Sequence, residues 1–258
     1  MSSAIVPVSS LTGANGLSAV VEGFEGQTIK PTQIRLVQQS SLGAGDTYKV
    51  GKLVDSLSGN HFDKLTVVPL VIKKGRVFFP PDKKVGGTPL CRSNDGITPA
   101  PNVPSKQASR CDICDHGPKL WRNFKLTGIK PDCDETINML FIERESGFPY
   151  YLTIKGSSIK FFNNIYQSIF RDIVMKRSKG EDHKIYDYSF EITPTRVTGN
   201  MGNYYILNFT NLVQVAGGEY GPLYQMFVKD AEASANDQNV DELIDAEIES
   251  VQSQYIEA

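Results

Sequence analysis

The sequence predicts a mainly β fold: a five-stranded Greek-key barrel of the OB type, elaborated with one central helix and a long loop insertion. Three observations carry that expectation. Short runs of alternating or continuous apolar residues recur from Ile34 to Val213 at strand length. Before the acidic tail, where Val240–Ile256 could form a transient amphipathic helix, one long segment, Ser157 to Lys179, has the three- and four-residue periodicity of a helix. All four cysteines fall in a Pro/Gly/Ser/Asn-rich stretch between two strand patterns. A twisted antiparallel α+β sandwich is the alternative architecture.

Residues 1–30 lack periodicity and positive charge until Lys30, and read as a flexible N-terminal arm. The domain proper is expected over 31–228. Ile34-Arg-Leu-Val-Gln opens it as a short strand, followed by a loop over 40–45 and a strand from Tyr48 to Val54. Leu65-Thr-Val-Val-Pro-Leu-Val-Ile is nearly continuous in apolar residues and therefore central, although Pro69 demands a bulge or an unpaired position. Lys73-Lys-Gly-Arg76 reads as a tight turn into a separate Val77-Phe-Phe strand. Ile137–Arg144 and Tyr150–Ile154 are strands around a Gly147-Phe-Pro turn. In the helix, Ser157 or Ser158 serves as cap and Ile159, Phe162, Ile165, Tyr166, Ile169, Phe170 and Ile173 form a core stripe. Gly180 stops it behind a basic last turn. Ile185–Ile192 and Tyr204–Val213 read as a hairpin, with a short closing helix near Gly221-Pro. Residues 229–258 read as an acidic tail.

The insertion, expected over 85–135, has too little apolar content to fold unaided. Its cysteines follow the spacing C-x19-C-x2-C-x18-C. Cys111 and Cys114 suit one tight metal knuckle, and Cys91 and Cys133 would close a tetrahedral site from either flank. Structural zinc is the expected cofactor. Free thiols, a disulfide pair or a redox CxxC are the alternatives, and His116 is a reserve ligand. No basic-flanked apolar segment opens the chain, so a reducing cytoplasm is expected, where disulfides are uncommon.

A formal net charge of −2 hides a strong asymmetry: residues 30–184 hold 25 Lys/Arg against 15 Asp/Glu, and residues 185–258 hold 2 against 12. A basic body with an acidic end suits a polyanion-binding surface and a tail that competes for it. Single-strand binding needs cations for phosphates and flat rings for bases. Candidates are Lys73, Lys74, Arg76, Phe78, Phe79, Lys83 and Arg92; then Trp121, Arg122, Phe124 and Lys125; then Tyr150, Tyr151 and Lys155. OB barrels bind oligonucleotides across one face. No Walker loop, dinucleotide glycine fingerprint, GxSxG elbow or deaminase signature occurs, so no enzyme is expected. The longest apolar run, Leu65 to Ile72, is too short to cross a bilayer as a helix, and no membrane partner is expected.

Taken together, the Gln38-Gln-Ser-Ser loop after Ile34-Arg-Leu-Val, the Leu65-Thr-Val-Val-Pro-Leu strand, Cys91-Arg-Ser-Asn-Asp-Gly, a CxxC near Trp121 and the acidic end resemble a family. It is that of the single-stranded-DNA-binding proteins of tailed bacteriophages, in which an OB-type core can carry a zinc-binding insertion. The resemblance implies coating of exposed strands in replication, recombination and repair, with the tail recruiting phage replication or recombination proteins. The long neutral N-terminal arm departs from it. A zinc-ribbon regulator that binds duplex DNA or a polymerase is the other function the residues suit.

Overall fold

The computed structural model describes residues 31–39, 41, 43–79, 89–117, 128, 132–199, 202–215, 220–225 and 227. The expected N-terminal arm, the acidic tail and Lys83, Trp121, Arg122, Phe124 and Lys125 lie outside these. The described chain is mainly β, with few helices. It divides into two compact units, the first holding the described residues through Ile72, then Met139–Thr153 and the described part of Ser157–Met226. The second holds the described residues of Lys73–Asn138, Ile154–Gly156 and residue 227.

The first unit is built on β1 (Thr32–Leu36), β2 (Leu53–Asp55), β3 (His61–Phe62), the leading half of β4 (Leu65–Phe78), the trailing part of β6 (Asp134–Glu143), β7 (Pro149–Lys155), β8 (Tyr188–Gly199) and β9 (Gly202–Gln214). Strand order is β3-β2-β1-β7-β6-β4-β8-β9. The β1–β7 pair is parallel, with Ile34 opposite Leu152, and β8–β9 is the expected antiparallel hairpin, running from Tyr188↔Gln214 to Gly199↔Gly202. The apolar run of β4 is buried from Val67 to Leu70, as a strand with neighbours on both sides requires. Its ladder with β8 runs from Leu65↔Ile192 to Val67↔Phe190, two residues short of Pro69, so the missing N–H breaks no bond of that ladder.

Helix α1 (Ser158–Arg177) packs on β9. Phe162, Ile165 and Ile169 are buried, and the Phe162 ring meets Phe209 edge-on at 5.2 Å. Each such side chain contributes about 1.5–3 kcal/mol by leaving water. The stripe is narrower than its sequence suggests. Tyr166 and Phe170 are exposed. Neither serine makes a side-chain cap; the Ser158 hydroxyl instead accepts the Leu207 backbone N–H at 2.9 Å, fastening α1 to β9. Gly180 ends the segment in the left-handed region at φ +84. The Gln38 side chain exchanges two hydrogen bonds with the Tyr205 backbone, at 2.7 and 2.9 Å, pinning the loop after β1 to β9. The Tyr48–Val54 strand shrinks to β2; Tyr48 keeps only an isolated bridge to Ala44. A four-residue helix, α2 (Gly221–Tyr224), follows. Among the described residues no helix is long and apolar enough to cross a membrane.

In the second unit β4 continues through Lys73–Arg76 as an unbroken strand, which corrects the expected turn there. Gly75 is buried in mid-strand, where a Cβ would lie 2.7 Å from Thr136 Oγ1, 2.8 Å from Asn138 Nδ2 and 2.9 Å from the Ser93 carbonyl. Glycine here admits close neighbours and does not reverse the chain. β5 (Cys91–Ser93) pairs antiparallel with this half of β4, placing Arg76 opposite Ser93 and Phe78 opposite Cys91.

Candidate metal centre

The Cys91-Arg-Ser-Asn-Asp-Gly stretch begins as strand and ends as a fastened turn. The Asp95 carboxylate accepts the Ile97 and Thr98 backbone N–H groups at 2.7 and 2.8 Å, and the Thr98 and Ser93 hydroxyls at 2.6 and 2.8 Å. Burial pushes the Asp95 carboxyl up, but the Thr98, Ile97 and Ser93 hydrogen bonds outweigh it and hold the group far below the usual carboxylate range. A depressed carboxyl contributes stability above its unfolded pKa of about 3.9, and that contribution fades as pH falls through the folded value. Asp95→Ala should therefore destabilise the chain by about 1 kcal/mol at pH 7. In urea melts the gap between variant and parent should narrow below about pH 4, and a gap that does not change with pH would contradict this account.

That turn sets the knuckle. The Ile97 carbonyl accepts the Cys111 N–H at 2.8 Å; Cys114 N–H then reaches the Cys111 carbonyl at 3.4 Å, and Gly117 N–H the Cys114 carbonyl at 3.1 Å. A side chain at 117 is sterically barred, since its Cβ would lie 2.4 Å from the Cys111 carbonyl oxygen. Cys133 is returned to the group by its N–H, which donates to the His116 carbonyl at 3.0 Å. The His116 ring stacks on Phe78 at 4.4 Å and 20°, with Nδ1 3.2 Å from Asp132 Oδ2. His116 is thus a strut between β4 and the loop, a role its position two residues past a CxxC did not disclose.

All four cysteines line one cavity of about 20 Å³, with Arg76, Arg92 and His116 also in its wall. That volume suits one water or one ion. None of the four is in a disulfide; Cys111 and Cys114 are buried, Cys91 and Cys133 half-buried. Among the described residues no set of three or more His, Cys, Asp or Glu side chains is already arranged to hold a metal ion. Burial pushes the Cys133 thiol up to about 12, against the pull of Arg76, and raises Cys111 as well. Such thiols are protonated at neutral pH, which disfavours a redox or nucleophilic role and means that a metal would have to displace their protons.

The donor types nonetheless suit a soft divalent ion: four sulfurs in the wall of an ion-sized cavity. Cys91, Cys111, Cys114 and Cys133 would hold it, and the ion would supply a cross-link and not a reaction.

The nucleic-acid candidates scatter by burial. Phe78 is buried against His116, and Tyr150 is buried beside Phe62 and Phe141, so neither ring is open to stack on a base. Arg92 is buried and Arg76 faces the thiols. Lys73 and Lys74 are exposed on β4, Lys74 lying 4.0 Å from Glu135. Phe79 is half-buried with the Lys155 ammonium 6.0 Å from its ring, and Tyr151 is half-buried; although Lys155 is exposed as a residue, burial of its ammonium lowers its pKa. No protein-family model, curated protein or solved structure matches the chain.

Proposed function

We propose that the chain binds single-stranded DNA with little sequence preference, through an OB-type barrel whose insertion is clipped by a structural zinc ion, and that it catalyses no reaction. The observation that carries this reading is the pair of exposed cations Lys73 and Lys74, on the strand that leads to the Phe79–Lys155 ring–cation contact of the same unit. Cations of this kind neutralise phosphates, and Phe79, half-buried in the same unit, is the candidate ring beside them. The basic excess of residues 30–184 supports the same partner. Work in phage replication, recombination and repair, in the cytoplasm of an infected host, follows from the resemblance. So does recruitment of phage proteins by the acidic tail, whose carboxylates would stand in for phosphates when no DNA is bound.

The test is an anisotropy titration of labelled oligo-dT across salt, against a duplex of equal length. The full chain should prefer oligo-dT, and removing 231–258 should tighten binding at low salt. Lys73→Gln with Lys74→Gln should weaken it roughly tenfold and make the log–log salt slope shallower by about 1.4, two phosphate contacts at 0.7 each. A duplex preference, or no binding of oligo-dT by the truncated chain at low ionic strength, would overturn the proposal.

A further inference from the structure

Arg76 is out of place for a strand residue of a nucleic-acid-binding face. Its side chain is 11% exposed, lines the thiol cavity, and meets Glu135 only at 3.9 Å through Nη2. Nη1 is fully buried with no hydrogen-bond partner among the described residues. A buried guanidinium donor without an acceptor is costly, so an acceptor in the cavity is expected. Four thiolates around a divalent cation carry two excess negative charges in a buried place, and sulfur accepts N–H donors.

The geometry points to Arg76 as the positioning and charge-balancing residue of the metal site: Nη1 donates to a metal-bound thiolate, joining β4 to the clip. This inference rests on the metal reading above. The planar fork lets Nη1 face the sulfurs while Nη2 stays toward Glu135, a division that a lysine ammonium cannot reproduce. β4 then carries both the cations offered to DNA and the counter-charge of the metal, so loading of the site would set the register of Lys73 and Lys74.

Zinc alone, competed against a colorimetric chelator, is the first probe, with cobalt absorption to report thiolate ligation. Arg76→Gln should lower zinc affinity roughly 10- to 100-fold, and Arg76→Lys by less. In the parent chain loaded with ¹¹³Cd, a scalar coupling from the metal to guanidinium protons at low temperature should report the N–H···S bond directly, whether or not Arg76→Gln folds. Absence of that coupling, or zinc affinity unchanged in a folded Arg76→Gln chain, would overturn the role of Arg76 while leaving the metal site standing. A parent chain without cobalt–thiolate bands would remove the metal reading, and this inference with it.

Discussion

On the proposed zinc clip, serine at both Cys111 and Cys114 should leave the chain without bound zinc and open residues 89–117 to protease. The buried apolar side chains of that stretch are Pro89, Ala100, Cys111 and Cys114, far too few to offset the ordering of its backbone. Hydrogen bonds such as Cys111 N–H to Ile97 and Ala100 N–H to Arg92 shape the segment but contribute only about 1 kcal/mol each. Zinc held by a full thiolate set contributes about 10–16 kcal/mol near neutral pH, so it dominates the local balance. Serine hydroxyls, close in size, keep the packing and lose the ligands. The first unit has its own core, Phe141, Phe162 and Phe190 among others, so α1 and the β8–β9 hairpin should keep their hydrogen-exchange protection. Metal content by mass spectrometry and limited proteolysis check both halves. A variant that retains one zinc per chain, or an unchanged cleavage pattern, would show that the thiols are packing groups and nothing more.

How much of this the sequence discloses depends on whether a signal is local. The α1 periodicity and the turn before Tyr204 are local patterns, and the structure has helix and hairpin where they put them. The four cysteines line one cavity, but among the described residues no three of them are arranged as a ligand set. What misleads is chemistry whose meaning a distant strand decides. Lys73-Lys-Gly-Arg76 has turn composition, yet Thr136 and Ser93, remote in sequence, make the glycine a strand residue. Tyr166 and Phe170 match a helix core face but are exposed. Tyr150 has the composition of a stacking platform but is buried beside Phe141, whereas Phe78 and Phe79 alternate along a strand, so that one of them is expected in the core, and it is Phe78. Arg76 shows the reverse: a basic residue among basic residues, unremarkable in sequence, is turned away from solvent and, like Arg92, lines the thiol cavity.

Gly75→Val should destabilise the second unit by about 3 kcal/mol, the upper end of an overpacking penalty. Even the first carbon of a side chain would lie 2.7 Å from Thr136 Oγ1 on β6 and 2.9 Å from the Ser93 carbonyl on β5. The threonine can rotate; the carbonyl belongs to the backbone that pairs with Arg76 and cannot yield without moving β5. β5 begins at Cys91 and ends at Ser93, whose hydroxyl donates to Asp95, so displacement would pull one thiol and the Asp95 turn together. A tight turn at Lys73–Arg76 would also resist valine, through its backbone, but would leave β5 and Cys91 where they are. The two placements therefore differ in what the substitution does to the thiol site. Urea melts together with zinc competition decide it: lowered stability and weakened zinc binding follow from the strand, whereas zinc binding unchanged from the parent would mean that β4 ends before Gly75.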